Sequence, residues 1–257
     1  MKLQHQWTAL QTIVIKEIRR FMRIWIQTLL PPAITVALYF VIFGKLVGAR
    51  IGEIEGFTYM QYIVPGLIMM SVITNAYSNV VSSFFSAKFQ RSVEEMLVSP
   101  LPNHIIIWGF VLGGIVRGLA VGLIVTLLAL FFTDLQVHDV FVTFSIVLLT
   151  AALFSLGGLI NAVYAGSFDD ISIVPTFVLT PLTYLGGVFY SVSMLPPFWE
   201  KVSHINPILY MVNGFRYGIL GVTDINLGVA YGMIGGTVVV LYAWAYWLLK
   251  NGVGIRT

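Results

Sequence analysis

Six stretches, residues 24–44, 59–84, 105–133, 140–165, 171–190 and 229–249, are almost wholly apolar and reach the length of about 20 residues that a helix needs to cross a bilayer. Hydrocarbon offers no partner to a backbone amide or carbonyl, so a chain crossing it this often must satisfy those groups within its own helices. The sequence therefore reads as an all-α polytopic membrane protein with six transmembrane helices. Composition agrees: 58% of residues are hydrophobic and 10% charged, against about 25% charged in a soluble domain. The runs leave no stretch long enough for a separate soluble core, so residues 1–257 are expected to form a single membrane domain. There are no cysteines, which excludes a disulfide framework, a thiol nucleophile and a cysteine metal site.

Residues 7–25, WTALQTIVIKEIRRFMRIW, mix apolar residues with charges and are followed by no small-residue cleavage site, unlike a cleavable signal. On a helix, Lys16, Arg19, Arg20 and Arg23 share one face, with Trp7, Val14, Ile18, Phe21 and Trp25 opposite. That pattern predicts a helix lying in the membrane interface, with a solvated charged face ahead of the first span as the plainer reading. With both termini inside, the cytoplasmic segments hold Lys2, Lys16, Arg19, Arg20, Arg23, Lys88, Arg91, Lys250 and Arg256, and the outside segments only Lys45, Arg50, Lys201 and Arg216. The bias predicts cytoplasmic N- and C-termini. The net charge of +3 and the N-terminal cations suit anionic lipid headgroups, and no basic-aromatic patch for nucleic acid exists.

Two segments between spans carry unusual content. In the fifth run, Pro175 and Pro181 remove backbone donors and predict a kink or break. Residues 191–222 are too apolar for an ordinary loop; Pro196, Pro197 and Pro207 cut them into pieces, and Phe198, Trp199, Tyr210, Phe215 and Tyr217 suit the headgroup region. Short helices re-entering the outer leaflet fit best; a full span at 205–222 would bring Asn206, Asn213 and Arg216 into hydrocarbon.

The stretch Arg91–Pro102, RSVEEMLVSPLP, places charges between two spans. Ser92 and Glu95 are spaced as a capping box, Val93, Met96 and Leu97 share a face, and Pro100 ends the helix. This predicts a short cytoplasmic helix, either a docking element or a cap on the bundle. In the second span Ser71, Asn75, Ser78 and Ser82, with Thr74 and Asn79 beside them, form a polar stripe, to be met by another helix or by a wet path. Arg117 is the only charge inside a span, and either Asn161, a carbonyl or water should meet it, or it snorkels toward the cytoplasm.

Catalytic apparatus is missing from the sequence. The only Gly-Lys pair, Gly44-Lys45, is followed by Leu46, so there is no phosphate-binding loop. His5, His104, His138 and His204 all fall outside the spans, which removes the base of a serine–histidine pair at membrane depth. Asp169 and Asp170 are adjacent and suit a helix cap better than an acid/base pair, and no metal-ligand spacing occurs.

The basic N-terminal helix, the six spans, the short helix ending LVSPLP and the run PLTYLGGVFY…LPPFW…INPILYMVNGFRYGILG from Pro181 to Gly221 closely resemble the membrane subunits of type-2 ABC exporters, in particular YadH-type inner-membrane permeases of bacteria. The resemblance covers nearly the whole chain. It implies a single type-2 ABC transmembrane domain: a connecting helix within 1–23, spans one to five over 24–190, an outer re-entrant segment at 191–228 and span six at 229–249. It further implies a permease that pairs with a second copy of itself and with two copies of a separate ATP-binding subunit. ATP and magnesium belong to that partner, with no cofactor or metal in this chain, and the setting is the lipid of a bacterial inner membrane. By the same resemblance, Arg91, Ser92, Glu94, Glu95, Met96, Leu97 and Pro100 would couple to the ATPase, Glu94 and Glu95 as polar contacts and Met96 and Leu97 filling its groove. Ser71, Asn75, Ser78, Ser82, Thr180 and Tyr184 would line the translocation path, and Tyr190, Phe198, Trp199, Asn206 and Arg216 the outer gate. Two rival readings remain: a passive channel or ion-coupled carrier, which should have a carboxylate inside a span, and a lipid-acting enzyme, which needs a nucleophile and base at one depth.

Overall fold

The structure is a computed structural model that describes residues 3–254; Lys2 and Arg256, counted in the charge balance, lie outside them. An N-terminal helix α1 (Leu3–Arg23) leads into α2 (Trp25–Gly44), whose helical turns run on to Ile51. A two-residue turn at Glu55 and Gly56, both with positive φ, joins strands β1 (Glu53–Ile54) and β2 (Phe57–Thr58) into a small antiparallel hairpin. Then follow α3 (Tyr59–Phe89), the short α4 (Ser92–Val98), α5 (Asn103–Ala129) and α6 (Val140–Tyr164). The last third holds α7 (residues 170–184), α8 (Pro197–Ile205), α9 (Pro207–Leu220) and α10 (Leu227–Asn251). The chain is an all-α polytopic membrane protein, in which α2, α3, α5, α6 and α10 are each long and apolar enough to cross a bilayer.

The sixth expected span is different. Residues 170–184 form three consecutive five-residue segments, the middle one, Pro175–Leu179, wound as a π-helix. At about 1.5 Å per residue the helix is roughly 22 Å long, short of a bilayer core of about 30 Å. The run was expected to reach residue 190, but the helix stops at Tyr184 because Leu185 to Gly187 turn the chain, with Gly187 at φ 71. The turn leaves carbonyls without helical partners, and side chains supply them. Asn206 donates to the Leu182 carbonyl (2.6 Å), Tyr190 to Tyr184 (2.9 Å), Arg216 to Gly187 (2.6 Å) and Tyr59 to Phe189 (3.2 Å).

α3 is the central pillar: 83% of its most apolar window is buried, against 11% for α10 and 17% for α2. Glycine lets its neighbours close in. Gly114, Gly118 and Gly122 of α5 face Val80, Ala76 and Val72 of α3, and Gly158 of α6 lies so near the Tyr77 carbonyl that a Cβ would come within 2.6 Å of it. A second glycine row on α5, Gly109 and Gly113, receives α1; a Cβ at Gly113 would stand 2.5 Å from Glu17 Cβ. In lipid, helices associate through such close backbone approach, and the spacing is of the small-residue type.

α4 corrects one expectation. Ser92 and Glu95 form no capping box: Arg91 holds the N-cap position with φ 59, and its carbonyl accepts from the Glu94 and Glu95 amides. Only Gln90 and Arg91 separate α3 from α4, so the reversal requires a left-handed residue there and pushes Ser92 inside the helix. A capping box does form elsewhere, between Thr58 and Gln61 at the start of α3.

Candidate functional site

The open stripe of α3 and the facing side of α7 form a cleft of about 200 Å³, where Thr74 and Ser78 meet Thr176, Thr180 and Thr183 across Met70 and Leu179. On a helix otherwise enclosed, Thr74 is exposed and Ser78 and Ser82 half-buried, at a spacing of four residues. The hydroxyls are anchored along their own helices, Thr74 to Met70, Ser82 to Ser78 and Thr180 to Pro175 carbonyls at 2.7–2.9 Å. Of these, Thr74 and Thr180 line the cleft with Ser78, among apolar Met70, Pro175 and Leu179. Tyr184, at the end of α7, is exposed and stacks on Phe189 with ring centroids 5.9 Å apart.

The rest of the expected polar stripe lies elsewhere. Ser71 and Asn75 are buried against the bundle: Ser71 donates to the Leu67 carbonyl (2.9 Å), Asn75 to the Ser71 carbonyl (3.0 Å), and Asn75 Oδ1 accepts from Arg117 Nη2 (3.2 Å). The partner of Arg117 is thus Asn75 of the neighbouring helix rather than Asn161, whose amide reaches the Ile171 carbonyl (3.4 Å). The two halves of the stripe lie on different sides of α3: Asn75 ties it to α5 through Arg117, Ser71 is closed off by the carbonyl of its own helix, and Thr74, Ser78 and Ser82 remain open.

At the α4 end, the apolar face of α4 turns toward its own bundle. Val93 is fully buried, and Met96 and Leu97 pack half-buried against the core, so they are not free to fill a partner's groove. Packing a short apolar face onto the bundle removes it from water, and that outweighs leaving it open. Outward remain Arg91, Glu95, Pro100 and Val98, the last 88% exposed, with Ser92 and Glu94 at the margin and Phe89 beside them. A groove of about 520 Å³ runs between α1 and α4, lined by His5, Thr8, Thr12 and Lys16 on one side and Met96 and Leu101 on the other.

α1 is fixed to α3 by charge. Ile13, Glu17 and Phe21 make its buried stripe, and Arg20 turns inward rather than staying on the basic face with Lys16, Arg19 and Arg23. Glu17, with no exposed surface, accepts from Ser83 Oγ (2.6 Å) and pairs with Arg20 (3.3 Å), whose Nη2 also donates to the carbonyl (3.0 Å) and side chain (2.8 Å) of Asn79. The sequence carried a signal for this joint that hydropathy passes over: Glu17 is the only carboxylate before Glu53. At the start of α7, Asp169 holds the N-cap position without a side-chain bond; the Asp170 carboxylate accepts from the Gly166 (2.8 Å) and Ser167 (3.0 Å) amides of the preceding turn, and Ser167 Oγ accepts from the Asp170 amide (3.2 Å). The Gly166 amide, chief among these bonds, holds the Asp170 carboxyl below the usual range.

At the opposite end, two of the expected gate residues prove to be anchors. Arg216 is completely buried, its guanidinium 4.1 Å above the Tyr62 ring, with Nη1 donating to Asn213 (3.3 Å) and Nη2 to the Gly187 carbonyl. Asn206 caps α9 by accepting from the Ile208 amide (3.0 Å) and is buried too. Asp224 extends the joint by accepting from Ser191 Oγ (2.7 Å) and the Val192 amide (3.2 Å), while its own amide donates to Asn213 (3.2 Å). Burying a guanidinium is costly, and the two Nη donors and the Tyr62 ring face offset part of that cost where α9 reaches the turn after α7; Nε is left without a partner among the described residues. Phe198 and Trp199 do lie exposed on α8, edge to face at 5.3 Å, with Tyr190 half-buried nearby in the chain.

The family described as ABC-2 type transporter matches residues 8–220. The chain is 62% identical over 252 residues to the inner membrane transport permease YadH of Escherichia coli strain K12, covering 98% of each. Nodulation protein J of Neorhizobium galegae is 25% identical over 191 residues, 72% of this chain and 71% of its own, and the Sinorhizobium fredii protein of the same name 24% over 178 residues, 69% and 68%.

Proposed function

Since the chain belongs to the ABC-2 type transporter family and is a membrane permease subunit of a transporter of that kind in the bacterial inner membrane, we propose that it is half of an ATP-driven exporter. Two copies pair with α3 and α7 of each facing the other, and each copy seats one separate ATP-binding subunit on α4. The observation that carries this reading is the open stripe of α3. A helix so deeply enclosed leaves one polar edge uncovered, Thr74, Ser78 and Ser82, and the first two of these face the threonines of α7. Hydroxyls there can hold a passing polar group and exchange it for water.

Coupling runs through α4 and α1. ATP and magnesium are bound by the partner, whose closure presses on the outward edge of α4, with Arg91, Glu94, Glu95 and Val98 as contacts. The Glu17–Arg20–Asn79–Ser83 joint then passes movement of α1 to α3, where it opens or closes the path between copies. Both termini lie in the cytoplasm, α7 crosses the membrane with the turn at 185–190 inside the outer leaflet, and Tyr190, Phe198 and Trp199 border the exit.

The test is co-purification in lipid nanodiscs with a separate ATP-binding subunit from the same bacterium, with ATPase turnover measured against that subunit alone. A complex with two copies of each and lipid-dependent turnover is expected. Replacing both Glu94 and Glu95 with lysine should abolish association while leaving membrane insertion intact. If the variant still assembles and transports, α4 is not the docking element; if no ATP-binding subunit associates at all, the passive carrier returns.

A further inference from the structure

At the end of the bundle opposite α4, a cleft of about 620 Å³ opens between the β hairpin, the irregular segment 130–139 and the last turn of α9. Its lining differs from that of the α1–α4 groove and of the α3–α7 slot. Gln61, Asp134, Gln136 and His138 surround it, with Phe57, Val137, Ile219 and Leu220 as its apolar lining. Among the described residues no lysine or arginine lines it.

Its imidazole is held in place. The His138 amide donates to the Ile219 carbonyl (3.2 Å) and the Asp139 amide to that of Gly218 (2.8 Å), while the Asp139 side chain caps α6 through the Val142 amide (3.0 Å). The ring stands edge-on to Tyr217 at 5.4 Å, and Gly221, at φ 78, packs so close that a Cβ there would meet the ring at 3.2 Å. The side chains of Asp134, Gln136 and His138 take no hydrogen-bond partner among the described residues. Gln61, already bonded to Thr58, reaches only the Asp134 main chain, at 3.5 Å.

We infer that this cleft binds a neutral, hydroxyl-rich ligand, a saccharide unit in chemical class. A carboxylate accepts, carboxamides do both, and an imidazole donates from one nitrogen while accepting at the other, which is the complement that neighbouring hydroxyls on one ring require. Phe57 offers a flat apolar face for the C–H side of that ring. The Asp134 carboxylate, with no cation among the described lining residues, selects against phosphate, and the volume falls in the range of about 300–1,000 Å³ usual for small-ligand sites. The site stands independently of the transport reading. Its ligand is the headgroup of a glycolipid or a free oligosaccharide, two sources of one chemistry.

Saturation-transfer NMR on the full-length chain in nanodiscs tests this, with maltotriose and chitotriose as probes and glucose 1-phosphate and trialanine as competitors. Transfer to at least one trisaccharide is expected, with binding about ten-fold weaker in Asp134→Ala and in Gln136→Ala, the loss of one or two hydrogen bonds. The exposed Lys201→Ala should bind as the parent does. Absence of transfer to either trisaccharide, transfer that neither variant weakens, or preference for the phosphate or the peptide overturns the assignment. A glycolipid bearing the better trisaccharide, placed in the nanodisc, separates the sources: tighter binding than the free sugar identifies a membrane-borne headgroup, equal binding a soluble glycan, and either supports the saccharide site.

Discussion

Two arginines bind other segments to α3, one near each end, and they do so by opposite means. Arg20 is 30% exposed and is matched by a carboxylate, an asparagine and, through Glu17, a serine, all between one pair of helices. Arg216 is fully enclosed, has no carboxylate among its hydrogen-bond partners, and joins α9 to α3 and to the turn after α7, with Asp224 tying in the loop before α10. Water can replace the partners of the first and cannot reach the second. The α4 end is therefore built as a joint that can loosen and close again, and the other end as a clamp, which suits the proposed coupling, in which force enters at one end and shape is kept at the other.

The comparison is broken most directly at the clamp. Arg216→Met leaves the Gly187 carbonyl without its donor and Asn213 with only the Asp224 amide, and empties the space over Tyr62; it should cost about 3–5 kcal/mol, read as a large fall in thermal midpoint in micelles. A loss no greater than that of Arg20→Met would remove the distinction. Next, Gly113→Leu should force α1 off α5 at a cost of about 1–3 kcal/mol, seen as faster proteolysis of α1 with α3 to α6 intact. Glu17→Gln keeps the shape of the joint but weakens its charge, at about 1–2 kcal/mol; transport should fall more than stability does, and equal losses would make the joint merely structural.

The smallest effect concerns pH. The Glu55 carboxyl is held above the ordinary glutamate range, chiefly by loss of surrounding water and then by the nearby Asp224 carboxylate. The folded chain thus holds this proton more tightly than the unfolded one, so the contribution is fully present below the ordinary glutamate range and is lost as pH rises through the folded value. Melting should shift slightly upward between pH 7 and pH 5, and Glu55→Gln should flatten that part of the profile. A slope unchanged in the variant would assign it to another group.

How much of this was legible depended on whether one helix or two decided the matter. The boundaries of α3, α5, α6 and α10 follow from apolar length, which is a property of each segment alone, and lie close to where the sequence placed them. The polar stripe of the second run was legible as a stripe, but which side of it stays open depends on what packs alongside, so Ser71 and Asn75 separated from Ser78 and Ser82 only in three dimensions. The burial of Arg216 was illegible for the same reason, since its cost is met by a carbonyl 29 positions earlier. Ser92 misled because the capping pattern is local while the turn forcing Arg91 into a left-handed conformation is set by the meeting of α3 and α4. The glycines of α5 were in plain view at four-residue spacing and mark both contact faces of that helix.

The four carbonyls at the end of α7 have a consequence for synthesis. Asn206 and Arg216, which donate to two of them, come later in the chain than the carbonyls they serve. While the ribosome is still working through α9, those two groups have no protein partner, and the segment cannot settle in lipid without them. Membrane insertion of this half is thus a two-stage event: α7 waits near the translocon or in water until α9 arrives, and a chain stopped after residue 200 should be recognised by quality-control proteases as unfinished even though most of its apolar length is already made.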